Sequence, residues 1–385
     1  MSRDAKIGLG VCAAVALVTA CCCGLIVLAA GGLVFFQFSR QTSGPSFAPP
    51  PFVDTPTPVL TARQSPTPSP TRSGQPASPT PAPAETTPAA DSRPMLDVLA
   101  QTTMTPRDLR ALTERLQGVA DIPVTVADAP ADHAVGTRLD FHIHNDDDPL
   151  QPHRTVTAEL IYKTENVYFF AERGVSLDRD AVRQLVDDFQ ANTYPTNRAF
   201  FGSEWTPGVD ADPRLYILFA RGLGFSILGY YYPVDEYSRL AYPYSNEKEI
   251  FYVNADVTSP GDPELASTLA HEFQHMIHWH QDLNEDGWVN EGAAMLAELL
   301  NGFQPSGHAI DFIQQPDLQL TTWSENDTIA HYGAAYLFLA YFLDRFGEET
   351  TRALVAHPAN GLEAVDAVLA ERGLTDPVSG RPLTA

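Results

Sequence analysis

The chain has 385 residues, with 48 acidic side chains against 24 basic ones and a formal charge of −24. That excess disfavours nucleic acid and anionic membrane surfaces as partners. The only cysteines are Cys12, Cys21, Cys22 and Cys23, which excludes disulfides from everything that follows them.

From Ile7 to Phe38 there is no charged residue, a run longer than the roughly 20 apolar residues that span a bilayer. Arg3 and Lys6 precede it and Arg40 follows it. The bias predicts an uncleaved single-pass anchor over residues 1–40 with its N-terminus inside. Val18-Thr19-Ala20-Cys21 is similar to a bacterial lipobox, which makes a lipoprotein the alternative. Apolar sequence continuing to Phe38 is more than a lipoprotein needs. Residues 41–94 are dominated by Pro, Thr, Ser and Ala, as in Ser65-Pro-Thr-Pro-Ser-Pro-Thr71. Such composition cannot bury a core; it predicts a disordered stalk reaching on the order of 150 Å at about 3.1 Å per residue.

Folded sequence is expected over 95–385, mostly β to about residue 260 and helical from about 261. Leu96, Leu99, Leu109, Leu112 and Leu116 mark a first helix, with Thr105-Pro106 at its opening. Strand-like runs follow at Arg138–His144, Thr155–Tyr162 and Asn166–Ala171. Asn145-Asp146-Asp147-Asp148 between the first two reads as a solvated turn, with calcium binding the alternative. His142 and His144 alternate along their strand as surface histidines. Val182, Leu185, Val186 and Phe189 give Leu177–Asn192 the pattern of an amphipathic helix. Leu215–Ala220 is an apolar strand. Gly222 to Tyr244 is too aromatic for disorder and too broken for one element, and could line a cleft. Glu249–Ala255 is a further strand.

Asp262-Pro263 then reads as an N-cap and first helical position. Leu265, Leu269, Phe273, Met276 and Ile277 recur at helical spacing and predict a largely buried helix. That helix carries His271-Glu272-Phe273-Gln274-His275. Residues i and i+4 share a helix face, so His271 and His275 can reach one zinc ion, with Glu272 placed to take a proton from water. Unpaired buried charge is costly, so a buried helix with these groups needs a reason. Catalytic zinc takes a third protein ligand, and Glu291 of Trp288-Val-Asn-Glu-Gly292 is the candidate. His278 shares a face with His275 and competes for the place, but three ligands from one short helix give poor tetrahedral geometry. The metzincin pattern, which wants Gly and then His further along that helix, is excluded by His278 and Gln281.

Asp282-Leu-Asn284-Glu-Asp286-Gly287 copies the first half of a calcium loop, but Ala293 stands where the bidentate Glu belongs. It is expected to be a turn that swings Glu291 toward the metal, with or without calcium. A second helix runs from about Asn290 to Asn301, ended by Gly302. A third runs from Asp327 to Phe346, apolar nearly all round, and carries His331 and Tyr332 near its start. Asp376–Ala385 reads as a closing loop.

Leu269–Ile277 and Trp288–Gly292 resemble the gluzincin zinc peptidases, and most closely the hyicolysin-type neutral metallopeptidases. The second block is also similar to that of the thermolysin-like aminopeptidases. The likeness is concentrated in residues 245–300. It implies an α+β zincin-like fold: a small mixed sheet with an edge strand, a zinc-binding helix, a glutamate-bearing helix and a helical C-terminal part. It also implies His271, His275 and Glu291 as zinc ligands, Glu272 as the base, and Tyr332 or His331 as an oxyanion donor. The strand Glu249–Ala255 would edge the cleft and pair with extended substrate, and related chains continue past Ala385 with further helix. Two departures stand out. The spacing from His275 to Glu291 is shorter than in those aminopeptidases, and Met295 occupies the place of an orienting Asp. Glu298 is the candidate for that orienting role.

The expectation is therefore an anchored extracytoplasmic zinc endopeptidase acting on protein or peptide substrate. No amine-binding motif of aminopeptidase type precedes the zinc helix. Two readings of other classes stay open: a surface adhesion module that keeps the fold without turnover, and a zinc hydrolase of a non-peptide bond.

Overall fold

The computed structural model describes residues 107–385 except 146, 149, 305 and 324–327. The anchor, the stalk and the helix-opening residues Thr105, Pro106 and Asp327 lie outside the described residues. Among the described residues no helix is long and apolar enough to cross a membrane.

Helix α1 (Leu109–Gln117) starts at Asp108, whose carboxylate accepts from the backbone N–H of Arg110 and Ala111. Strands β1 (Arg138–His144), β2 (His153–Lys163) and β3 (Val167–Glu172) follow, close to the predicted bounds. Helix α2 (Arg179–Asp188) does not stop near Asn192 as predicted. It continues through a π-helical turn, Phe189–Thr193, into α3 (Tyr194–Phe201). Pro195 sits in the first turn of α3, where a missing N–H does no harm.

The remaining strands are β4 (Leu215–Ala220), β5 (Gly229–Tyr231) and β6 (Ile250–Asn254). A 3-10 turn, Pro233–Glu236, comes after β5. The six strands form one mixed sheet in the order β1-β2-β3-β4-β6-β5. β3, β4 and β6 are mutually parallel, whereas β1, β2 and β5 join antiparallel. This corrects the expected edge strand. β6 is paired on both sides, and the edge nearest the zinc-type helix is β5, from the stretch that looked too broken to be regular.

Helices α4 (Pro263–Gln281) and α5 (Gly287–Leu300) follow, then α6 (Ser306–Ile313), α7 (Thr328–Phe346), α8 (Glu348–Val355) and α9 (Gly361–Glu371). Asp262 precedes α4 as expected, but its carboxylate accepts from Ser259 N–H rather than from the first turn.

The central strands are apolar on both faces, as parallel strands buried on both sides must be. Val167, Phe169, Leu215, Ile217, Phe251 and Val253 face the helices, where Leu269, Phe273, Met276 and Ala293 meet them. Tyr168, Phe170, Tyr216, Leu218 and Tyr252 face the other way and form a second core with Phe141, Ile227 and Tyr230. Each fully buried large apolar side chain contributes about 1.5–3 kcal/mol. An unsatisfied buried polar group costs about 1–3 kcal/mol. Two such cores therefore leave room for polar groups held inside at a cost.

Candidate metal centre

Helix α4 lies on the sheet through Phe273, whose ring stacks on Tyr194 at 5.4 Å. Fixing Phe273 inward turns His271 and His275 to the side where α5 packs. The chain reaches α5 through the turn Asp282–Asp286. There Asp282 accepts from Asn284 N–H, and Glu285 accepts from the N–H of Asp286 and, at 2.7 Å, of Gly361. These bonds hold the start of α5 against the start of α9. Gly292 then sits where a side chain would meet the Ala335 carbonyl at 2.8 Å. That close approach of α5 to α7 brings Tyr332, one turn before Ala335, beside Glu291.

The outcome is a buried group of His271, His275 and Glu291 whose donor atoms lie within 4.8 Å of one another. Nε2 of His271 is 3.3 Å and Nε2 of His275 3.5 Å from the same Glu291 oxygen. It is the one such group of three among the described residues, and His278, though buried, is not part of it. The other imidazole nitrogens are tied down. Nδ1 of His271 meets Glu298 at 2.9 Å, and Nδ1 of His275 meets Asn290 at 3.1 Å. Ser267 in turn donates to Glu298 at 2.5 Å. Both rings are thus oriented with Nε2 toward Glu291, as metal-binding histidines require.

Electrostatics favour a cation here. Burial alone would lower His271, but Glu291 and Glu298 on its two sides hold it well above its usual range. Burial alone would raise Glu291, yet His275 and His271 push it down to about 2. Glu272 is raised by burial, an effect moderated by the two histidines. Three carboxylates around two imidazoles leave the cluster negative unless protons or a metal join it. Two imidazole nitrogens and one carboxylate oxygen, each backed by an outer partner, are a donor set that fits zinc.

Of the two proposed oxyanion donors, Tyr332 is at the site. Its ring is 6.5 Å from that of His271, and burial together with Glu291 and Glu272 raises its hydroxyl well above the usual range. His331 is buried with its ring 5.6 Å from Trp323. Two residues at the site were not anticipated. Asn290, the acceptor for His275, immediately precedes Glu291, and that adjacency is the only sequence signal for it. His308 of α6 brings its ring to 5.7 Å from Tyr332. Burial lowers His308, with Glu298 and His271 also within electrostatic range. A lone histidine in a short helix after a loop carries no signal of this.

No family model matches this chain. Over 236 residues it is 27% identical to the neutral metalloprotease ShpI of Staphylococcus hyicus, a match covering 54% of this chain and 52% of that protein. The chain thus spans about half the length of the curated relative it matches. The sequence is similar to a neutral metalloprotease, the likeness expected from Leu269–Ile277 and Trp288–Gly292.

Proposed function

We propose that this protein is a zinc-dependent endopeptidase, anchored in the cell membrane by residues 1–40 with its catalytic part outside. The observation that carries the activity is the buried His271–His275–Glu291 group with Glu272 one residue from its first member. The similarity to a neutral metalloprotease supports it. Zinc held by those three residues would supply the Lewis acid that acidifies water and polarises a peptide carbonyl. Glu272 takes the proton of the attacking water and delivers it to the leaving amine. Its environment suits that task, because burial raises its affinity for a proton toward the working pH. Tyr332 is the hydroxyl best placed to donate to the developing oxyanion, and His331 is the weaker candidate for that role. Glu298 and Asn290 face Nδ1 of the two imidazoles and so leave Nε2 of each aimed at the centre.

The activity proposed does not call on calcium. One oxygen each of Asp282 and Glu285 accepts backbone N–H groups that shape the turn, and the other, Oδ2 of Asp282 and Oε2 of Glu285, is buried without a hydrogen-bond partner. Asn145 and Asp148 accept backbone N–H groups in their own loop, from Asp147 and from Leu150 and Gln151.

The test is Glu272→Gln in the full chain, extracted from membranes and loaded with zinc. The variant keeps shape and hydrogen-bonding reach but not basicity, so peptide cleavage should fall about 10²–10⁴-fold with zinc content unchanged. Near-wild-type cleavage would end the proposal. The same preparation reads the anchor: protein released from membranes by alkaline carbonate, without detergent, would refute it.

A further inference from the structure

Helix α4 is not the only place where two imidazoles meet. His144 of β1 and His153 of β2 face each other across the last pair of their hairpin. The N–H and the carbonyl of His144 turn away from β2, toward the hydroxyl of Tyr230. The next ladder bond runs from Asn145 N–H to the Pro152 carbonyl at 2.7 Å. The pair is therefore of the non-hydrogen-bonded kind, in which the side chains of an antiparallel ladder come closest. Its ring centroids are 5.0 Å apart, and those of His271 and His275 are 4.7 Å apart. Zinc–nitrogen bonds of about 2.0–2.1 Å at a tetrahedral angle set two ring centroids about 5 Å apart. Both pairs thus have the separation that one shared ion requires.

The surroundings of the second pair also suit a ligand. His153 Nε2 shares a hydrogen bond with the Tyr242 hydroxyl at 3.2 Å, and that hydroxyl meets the one of Tyr232 at 3.3 Å. With Nε2 engaged there, Nδ1 is the nitrogen that remains for a metal, and the ring is held by an outer partner as metal-binding histidines are. Tyr244 stacks on His153 at 4.1 Å, and the Tyr232 ring lies 5.7 Å from that of His144. Tyrosines therefore cover the pair in part, and both histidines are half-buried rather than at the open surface their alternation suggests. Burial, with His144 and His142 nearby, holds His153 down to about 4, so its imidazole is uncharged in neutral solution and has a lone pair to give. His142 is the third imidazole of this face. It is engaged otherwise, by Thr155 at its Nδ1 and by the Tyr244 ring at 5.7 Å.

We propose that His144 and His153 form a second metal site, which takes a divalent transition-metal ion of the imidazole-seeking kind, such as zinc, and ties β1 to β2 at the end of their hairpin. Two imidazoles, with water in the remaining positions, hold an ion less tightly than three protein ligands. This site therefore fills after the first and stays empty at trace zinc. Neither histidine belongs to the His271–His275–Glu291 group, so the inference stands apart from the peptidase reading. An ion bound only by the paired strands stabilises the folded chain. Two imidazoles that merely pack together would give no response to metal.

Equilibrium dialysis of the full chain against rising free zinc tests this, with metal content and melting temperature read at each step. Wild type should pass from about one zinc per chain to about two, and its melting temperature should rise as the second ion binds. His144→Gln and His153→Gln should each stop at the first ion and lose that rise. His142→Gln should behave as wild type. His271→Ala, which empties the first site, should still take up an ion that the His271→Ala, His153→Gln double variant does not. Should a variant fail to fold, wild type carrying its first zinc is given copper(II). Electron paramagnetic resonance should then show two imidazole nitrogens on copper while the first zinc stays bound. No second ion in wild type, a second ion kept by both His144→Gln and His153→Gln, its loss in His142→Gln, or a copper spectrum without imidazole would overturn the inference. Zinc at full strength in the first site of His271→Ala would instead count against the proposed catalytic centre, and the double variant reads that separately.

Discussion

Two groups of buried carboxylates handle the same physical problem differently. On one side Glu272, Glu291 and Glu298 surround His271 and His275: Glu291 and Glu298 of α5 face imidazoles of α4, and Glu272 lies within electrostatic range of both histidines. On the other side Asp235, Glu236, Glu249 and Glu204 face tyrosines, backbone N–H groups and one another. Arg198 approaches only Glu204, at 3.6 Å. Burial pushes Asp235 up to about 7 and Glu236 up to about 8, whereas neighbouring histidines hold Glu291 down to about 2 against the same effect. A buried carboxylate must be neutralised, and the choice lies between a cation and a proton. The first group is built to receive a cation, and the second keeps protons.

The largest effect expected from this contrast is on metal affinity. Glu298→Ala removes a charged acceptor from His271 and should weaken zinc binding about 10–100-fold, as read by competition with a chromophoric chelator. Asn290→Ala removes a neutral acceptor from His275 and should cost less. Unchanged affinity in Glu298→Ala would mean that the first group does not tune its histidines at all.

A smaller effect is expected in the pH dependence of stability. Asp235 and Glu236 have folded-state pKa values above those of the unfolded chain, where carboxylates titrate near 4. Between the two values the folded state binds more protons, so their contribution is complete below about pH 4 and is lost as pH rises through 7 and 8. Melting temperature should therefore decline across that window, and Glu236→Gln should flatten the decline. The metal-type group has the opposite sign. Glu291 favours the folded state above its unfolded value and loses that favour only as pH falls toward 2. A melting curve in which Glu236→Gln steepens the decline would contradict the division between the two groups.

The same division explains what could be read from sequence. The first group is local. His271 and His275 are one helical turn apart behind Asp262-Pro263, and Glu298 lies two turns from Glu291 on the same face, where an i+7 rule finds it although Met295 fills the usual place. The strands β1 to β4 and β6 were legible from apolar runs and their bounds. Their order in the sheet is not, because parallel crossovers leave no trace in local pattern; the expectation of β6 as the edge rests on the resemblance to zinc peptidases alone, and the sheet order overturns it. β5 is three residues long, too short for any alternation to show. The acid group draws Glu204, Glu236 and Glu249 from three separate connections, and Tyr231, which donates to Glu236, has no sequence mark beyond an aromatic-rich neighbourhood. His308 reaches Tyr332 only because α6 packs on α7.

Metal analysis of four proteins tests the central claim most directly: wild type, His271→Ala, Glu291→Ala and His278→Ala, each purified as the full chain and dialysed against trace zinc. The account predicts about one zinc per chain in wild type and His278→Ala, and far less in His271→Ala and Glu291→Ala, with all four folded. Full zinc in Glu291→Ala together with its loss in His278→Ala would contradict it.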